Sequence, residues 1–206
     1  MSTREPETTE TTETNDPEAS GEGALDLTEL SPEEANNALM AATEEVAEDE
    51  PELPVGVEGA AQPIHAERAI RLALMQKGIR EEPCPTNKNP FSRYFGYGAQ
   101  KWCADFVGWC FDRTGDQDKR VPWGYVSSVK TIIAWAEREG RIQSQPRRGQ
   151  IFAYENGKHT GIVTSVQGNK FTTIEGNTKG VDGRTCWVHD HVRTNNGTYY
   201  FIRPPA

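Results

Sequence analysis

Cys103 stands in the run Lys101-Trp102-Cys103-Ala104-Asp105-Phe106-Val107, His159 precedes Thr160-Gly161-Ile162-Val163, and Glu175 lies in Thr173-Ile174-Glu175-Gly176-Asn177. A thiol, an imidazole and a carboxylate are the groups needed for nucleophilic acyl transfer: one attacks a carbonyl, one moves the proton, and one orients the base. Cys103 falls at the first turn of a helix predicted over roughly 102–113, and a helix N-terminus favours a nucleophilic thiolate. Taken alone, a cysteine among aromatic residues reads more simply as a small buried hydrophobe. Cys110 fits that simpler reading: it shares the Trp-Cys context but lies mid-helix, about 10 Å along the axis from Cys103, too far for a disulfide.

The other two groups can be brought together by strand pairing. Strands predicted over 160–166 and 170–175 form a hairpin about Gly168-Asn169, with paired positions summing to about 335–337. Val163 then faces Thr172 or Thr173, and Glu175 faces Thr160 or Gly161, which places the carboxylate beside His159. A neighbouring carboxylate fixes the imidazole tautomer and stabilises the imidazolium.

The elements that must position these groups follow from periodicity. Ile64 to Gly78 carries Ala66, Ile70 and Leu74, with Ala73 and Met75, at helical spacing. A loop rich in Pro, Asn and Gly continues through Gly98, and its Tyr94, Phe95 and Tyr97 are expected to pack over the domain or line a cleft. After the Cys103 helix, a third helix starts at Ser127-Ser128, buries Val129, Ile132, Ile133 and Trp135, and stops at Gly140. Beyond Pro146 come short β-rich runs at 150–154, 160–166, 170–174, 186–192 and 198–202, separated by turns including Asn156-Gly157 and Asn196-Gly197. Helices first and an antiparallel sheet afterwards is an α+β layout.

The 206 residues divide by charge: residues 1–60 hold 18 of the 31 acidic residues with Arg4 as their only base, a net of -17, whereas 61–206 carry +8. Residues 1–62 therefore read as an acidic, largely disordered tail ahead of a folded domain at 63–206, since so little apolar mass cannot offset the ordering entropy. Ser31-Pro32-Glu33-Glu34 predicts a short helix near 32–48. That helix reads either as a transient turn of a solubilising tail or as a docking element, with the 24–50 segment as the candidate binder of a protein partner.

No apolar run is long enough to span a membrane, and the N-terminus lacks the pattern of a secretory signal, so synthesis in the cytoplasm without export by that route is expected. Four cysteines are too few for a disulfide scaffold in a chain of this length. Cys186, His189 and His191 could suggest zinc, but odd offsets along a strand put Cys186 on the face opposite the two histidines. The basic balance of the domain suits an anionic polymer.

Together, Cys103 in WCADFV, His159 in KHTGIV, and Glu175 with Asn177 in IEGN resemble the cysteine, histidine-dependent amidohydrolase/peptidase (CHAP) family of the papain-like superfamily, over about residues 65–204. The resemblance implies a papain-like α+β fold, N-terminal helices packed on an antiparallel β-sheet. It implies Cys103 as nucleophile, His159 as base and then acid, Glu175 as the orienting residue and Asn177 as a supporting polar residue. The backbone N–H of Cys103 is expected in the oxyanion hole, Gln100 is the candidate second donor, and Trp102 and Tyr97 are candidate substrate contacts. The implied substrate is bacterial peptidoglycan, cleaved in the stem peptide or cross-bridge or at the muramoyl–alanine amide. Some relatives bind calcium through an acidic loop before the cysteine; SRYFGYGAQKWC has no carboxylate there, so no metal and no other cofactor is expected. Neither nucleic acid nor a membrane is an expected partner, and the catalytic domain is expected to be monomeric. Delivery as a phage lysin, released at lysis or carried in the virion, is the leading expectation. An injected toxin with the same chemistry, and an inactive structural or wall-binding module, are the competing ones.

Overall fold

The computed structural model describes residues 64–114, 121–124 and 127–204. The acidic tail, with its predicted helix near 32–48, lies outside the described residues. Four helices, α1 (Ile64–Met75), α2 (Pro90–Tyr94), α3 (Cys103–Asp112) and α4 (Val129–Arg138), precede six strands, β1 (Ile142–Gln143), β2 (Ile151–Tyr154), β3 (Thr160–Gln167), β4 (Lys170–Lys179), β5 (Thr185–Thr194) and β6 (Tyr199–Ile202). The strands form one antiparallel sheet in the order β1-β6-β2-β3-β4-β5. Helices packed on an antiparallel sheet is the predicted α+β layout.

Helix α3 is the hub. Its residues Cys103 to Phe111 are all buried, which suits a run apolar on nearly every side, Asp105 being the polar exception. On α1 the buried stripe is Ala66, Ala69, Ile70 and Ala73, with Leu72 beside it, while Leu74 is 44 % exposed. The expected 66-70-74 stripe is thus corrected: alanines at i, i+3 and i+7, with Ile70 at i+4, form the face toward α3, and Leu74 falls outside that face. Helix α4 buries Val129, Ile132, Ile133 and Trp135 as predicted.

Strand alternation produces two apolar layers. Ile151, Ala153, Ile162, Ile174, Val188 and Ile202 join the helix-side core. Phe152, Val163, Phe171 and Phe201 form a second cluster, with Tyr154 and Tyr199 packed against it.

Two elements correct the sequence reading. The loop before Cys103 contains α2, started by Asn89, whose side-chain oxygen accepts from the Ser92 N–H, and by Pro90 at the first helical position. The two-residue β1 pairs with β6, Ile142 opposite Ile202; nothing so short produces a periodic signal.

Cys84 and Cys186 form a disulfide across 102 residues of sequence, a pairing no local spacing announces. The segment after α1 runs along β5, with Gly78 N–H on Val188 O (3.0 Å), Val188 N–H on Ile79 O (2.7 Å) and Glu81 N–H on Cys186 O (2.9 Å). The disulfide fastens the end of this extra edge, so the zinc-like Cys186, His189, His191 spacing has no free thiol to offer. Among the described residues no helix is long and apolar enough to cross a membrane, and no group of His, Cys, Asp or Glu could hold a metal ion.

Candidate active site

Two glycines allow the site to assemble. At Gly176 of β4, a Cβ atom would come within 2.5 Å of Phe106 Cβ and 2.7 Å of Trp102 Cζ3. The absence of a side chain there lets the sheet lie directly against the first turn of α3, where Cys103 sits. At Gly161 of β3, a Cβ would meet Glu175 Cγ and Phe152 Cε1 at 2.7 Å and Ile174 O at 2.8 Å. The bare backbone leaves the path by which the Glu175 side chain crosses toward His159.

The β3–β4 hairpin has the predicted register: Ile162 pairs with Ile174 and Val163 with Thr173, before a bulge moves Ser165 opposite Thr172. This brings His159 Nε2 to 2.7 Å from Glu175 Oε2. Cys103 is near enough to His159 to help raise the imidazole pKa. Since Nε2 is committed to the carboxylate, Nδ1 is the nitrogen that serves the thiol. Cys103, His159 and Glu175 are thus brought together in the order nucleophile, base, orienter.

Glu175 is fully buried, and its neighbours hold it as an anion. Arg193 grips both oxygens, Nε to Oε1 and Nη2 to Oε2, each at 2.7 Å. Thr173 donates to Oε1 and Thr178 to Oε2, the latter at 3.1 Å. Burial works to raise the carboxyl pKa, but the hydrogen bonds and positive charges of His159 and Arg193 overcome it and hold Glu175 at about 2. Burial works in the opposite direction on His159; the nearby Cys103, with the hydrogen bond and charge of Glu175, outweighs it and pushes the imidazole up to about 9.

Arg193, Thr173 and Thr178 are the residues that sequence reasoning missed. Arg193 comes from β5, where Thr173 pairs with His191 and Glu175 with His189, so His189, His191 and Arg193 share the face of Glu175. Its guanidinium also donates to the Tyr154 hydroxyl at 2.8 Å and lies over the Phe152 and Tyr154 rings, 5.1 and 5.5 Å from their centroids. Face parity along β5 would have aligned Arg193 with Glu175, but only once β5 was known to be the neighbour of β4.

The remaining candidates separate. Asn177 sits in left-handed backbone at φ 51° within the bulge between Glu175 and Thr178; it re-aims β4 and does not join the hydrogen bonds that hold Glu175. Trp102 is corrected: it is fully buried and donates its indole N–H to Glu81 at 2.8 Å, so it packs beneath the site and cannot contact substrate. Tyr97 lines a groove alongside α3. The Gln100 amide donates to Asp105 at 3.0 Å, which fixes it in the loop before Cys103. Cys110 is buried, and that burial pushes its thiol well up, as suits a core residue.

Residues 94–177 match the family model described as the CHAP domain, a span that includes Cys103, His159, Glu175 and Asn177. No curated protein matches the chain. Among solved structures, the P60 domain of an antigen from M. avium subspecies paratuberculosis is similar at 16 % identity over 69 % of this chain and 96 % of its own, with a TM-score of 0.40. A mutated form of the Resuscitation Promoting Factor Interacting protein RipA is similar at 16 % identity over 82 % of this chain and 81 % of its own, TM-score 0.36. A hypothetical invasion protein of Mycobacterium tuberculosis is similar at 15 % identity over 82 % and 83 %, TM-score 0.35.

Proposed function

We propose that this chain, which carries a CHAP domain and is a cysteine- and histidine-dependent amidohydrolase/peptidase, hydrolyses an amide bond in the peptide part of bacterial peptidoglycan. The observation that carries this reading is the placement of Cys103 beside His159, which is in turn hydrogen-bonded to Glu175. The Cys103 thiolate attacks the carbonyl carbon beside a protonated His159; the C–N bond breaks as His159 gives its proton to the leaving amine. Water, deprotonated by the now neutral His159, then cleaves the thioester and frees the thiolate. The backbone N–H of Cys103 at the start of α3 stabilises the oxyanion, with Gln100, whose amide also donates to Asp105, as the candidate second donor. A tightly held Glu175 keeps the imidazole in one orientation through both steps. The Cys84–Cys186 disulfide supports action outside a reducing compartment, where a cell wall lies.

Turbidity loss of purified walls, followed by mass spectrometry of the released fragments, tests the proposal. Clearing by the wild type and none by Cys103→Ala is expected, with fragment masses that show which amide is cut. Equal clearing by both proteins overturns the cysteine mechanism; no clearing of any wall type by the wild type overturns peptidoglycan as the substrate.

A further inference from the structure

With Cys186 held in the disulfide, His189 and His191 are two imidazoles on the face of Glu175 that the mechanism above does not use, and their surroundings differ. His189 Nδ1 donates to the Asp190 carbonyl at 2.8 Å, a bond to its own strand. His191 Nε2 instead lies 3.0 Å from Thr178 Oγ1, and that hydroxyl donates to Glu175 Oε2 at 3.1 Å. Thr178 is buried, and the oxygen it reaches is the one that His159 Nε2 and Arg193 Nη2 also reach, each at 2.7 Å. The His191 backbone adds to this: its carbonyl lies 3.3 Å from Thr173 Oγ1, the hydroxyl that donates to Glu175 Oε1. Strand β5 thus sets His191 against both threonines that hold the orienting carboxylate.

A threonine hydroxyl has one proton to give, and an ionised carboxylate has only lone pairs to offer. A bond to the Glu175 anion is charge-assisted and stronger than one to a neutral imidazole nitrogen, so the Thr178 proton goes to Glu175. The contact between His191 and Thr178 then requires the hydrogen on His191 Nε2, donated to the hydroxyl oxygen. An imidazolium meets that requirement with either nitrogen; a neutral ring meets it only as the Nε2–H tautomer. Burial pushes the His191 pKa down, with Arg193, His189 and His159 acting in the same direction and Glu175 against them, which makes the neutral ring the form at neutral pH. The donors therefore run one way, from His191 to Thr178 to Glu175, and end on the oxygen that also receives His159. Bonds in such a chain polarise one another, and the N–H on the Thr178 oxygen selects one of that side chain's staggered rotamers.

We infer that His191 is a positioning residue of the reaction, one that fixes the Thr178 hydroxyl as a donor to Glu175 and, through that carboxylate, the imidazole of His159. The inference rests on the cysteine mechanism above and not on which amide is cut, so its test uses the full chain without a wall substrate. Long-range proton–nitrogen NMR of the histidine rings at neutral pH is expected to show His191 as the Nε2–H tautomer; the Nδ1–H tautomer overturns the inference. The rate of Cys103 alkylation by iodoacetamide, followed by mass spectrometry, reads the thiol and imidazole directly. His191→Met is expected to slow it by about threefold, roughly the net worth of one hydrogen bond. His191→Gln, whose amide N–H can donate from the place of Nε2, is expected to recover most of that rate. In a Thr178→Val background, His191→Met is expected to have no further effect, because its influence passes through the hydroxyl. Equal rates in the wild type and His191→Met overturn the positioning role. So does a His191→Gln rate no faster than that of His191→Met, or a His191→Met effect that persists undiminished in Thr178→Val. Absence of Cys103 alkylation in the wild type overturns the cysteine mechanism, and the role of His191 with it.

Discussion

Arg193 holds both carboxylate oxygens of Glu175, each at 2.7 Å, from a strand two removed from the one that His159 precedes. The orienting carboxylate is thereby shared between a cation that never leaves and an imidazole that must gain and lose a proton.

Arg193→Met removes the permanent cation and leaves Glu175 buried with His159 as its one charged neighbour. Stability is expected to fall by roughly 3 kcal/mol, as for breaking one side of a buried pair. The acid limb of the pH–rate profile is expected to move upward, because the carboxyl pKa rises from about 2 once Arg193 is gone. Chemical denaturation and a kcat profile check both; an acid limb that stays in place removes Arg193 from the positioning role.

Stability should have a plateau bounded by the two coupled groups. Glu175 is lowered from 4.5 to about 2, so its contribution is present above 4.5 and lost as pH falls through about 2. His159 is raised from 6.5 to about 9, so its contribution is complete below 6.5 and lost as pH rises through about 9. Thermal unfolding from pH 2 to 10 is expected to flatten on the alkaline side in His159→Ala.

Gly161→Ala and Gly176→Ala each force a methyl group into occupied space. The Gly161 methyl meets Glu175 Cγ and the Ile174 carbonyl, and the Gly176 methyl meets Phe106 on the catalytic helix. Each is expected to cost about 1–3 kcal/mol as overpacking and to lower kcat by at least about tenfold, since the displaced groups hold His159 and Cys103. Wild-type kcat in either variant would show that the close approach is not needed for catalysis.

Reducing the Cys84–Cys186 disulfide releases a cross-link spanning 102 residues. A loss of about 2–5 kcal/mol is expected. Activity should follow, because the tethered segment includes Glu81, whose carboxylate accepts from Thr86 N–H, Asn87 N–H and the indole of Trp102, the residue before the nucleophile. Unfolding and wall clearing measured with and without reductant, and in Cys84→Ser/Cys186→Ser, check this; unchanged clearing would uncouple the disulfide from the site.

The sequence by itself determined the order of elements and the identities of the reacting groups. Helical spacing marked three of the helices, Asn-Gly turns marked the hairpins, and the hairpin register alone placed Glu175 beside His159, because local pairing across a tight turn is set by a few adjacent residues. Only the tertiary structure decided what comes from far along the chain. Arg193 reaches Glu175 because β5 flanks β4, Cys84 reaches Cys186 because the segment after α1 runs along β5, and Trp102 is buried because Glu81 receives its indole. Each depends on which distant surfaces meet, and on the desolvation that follows, and neither quantity is encoded in the spacing of neighbouring residues.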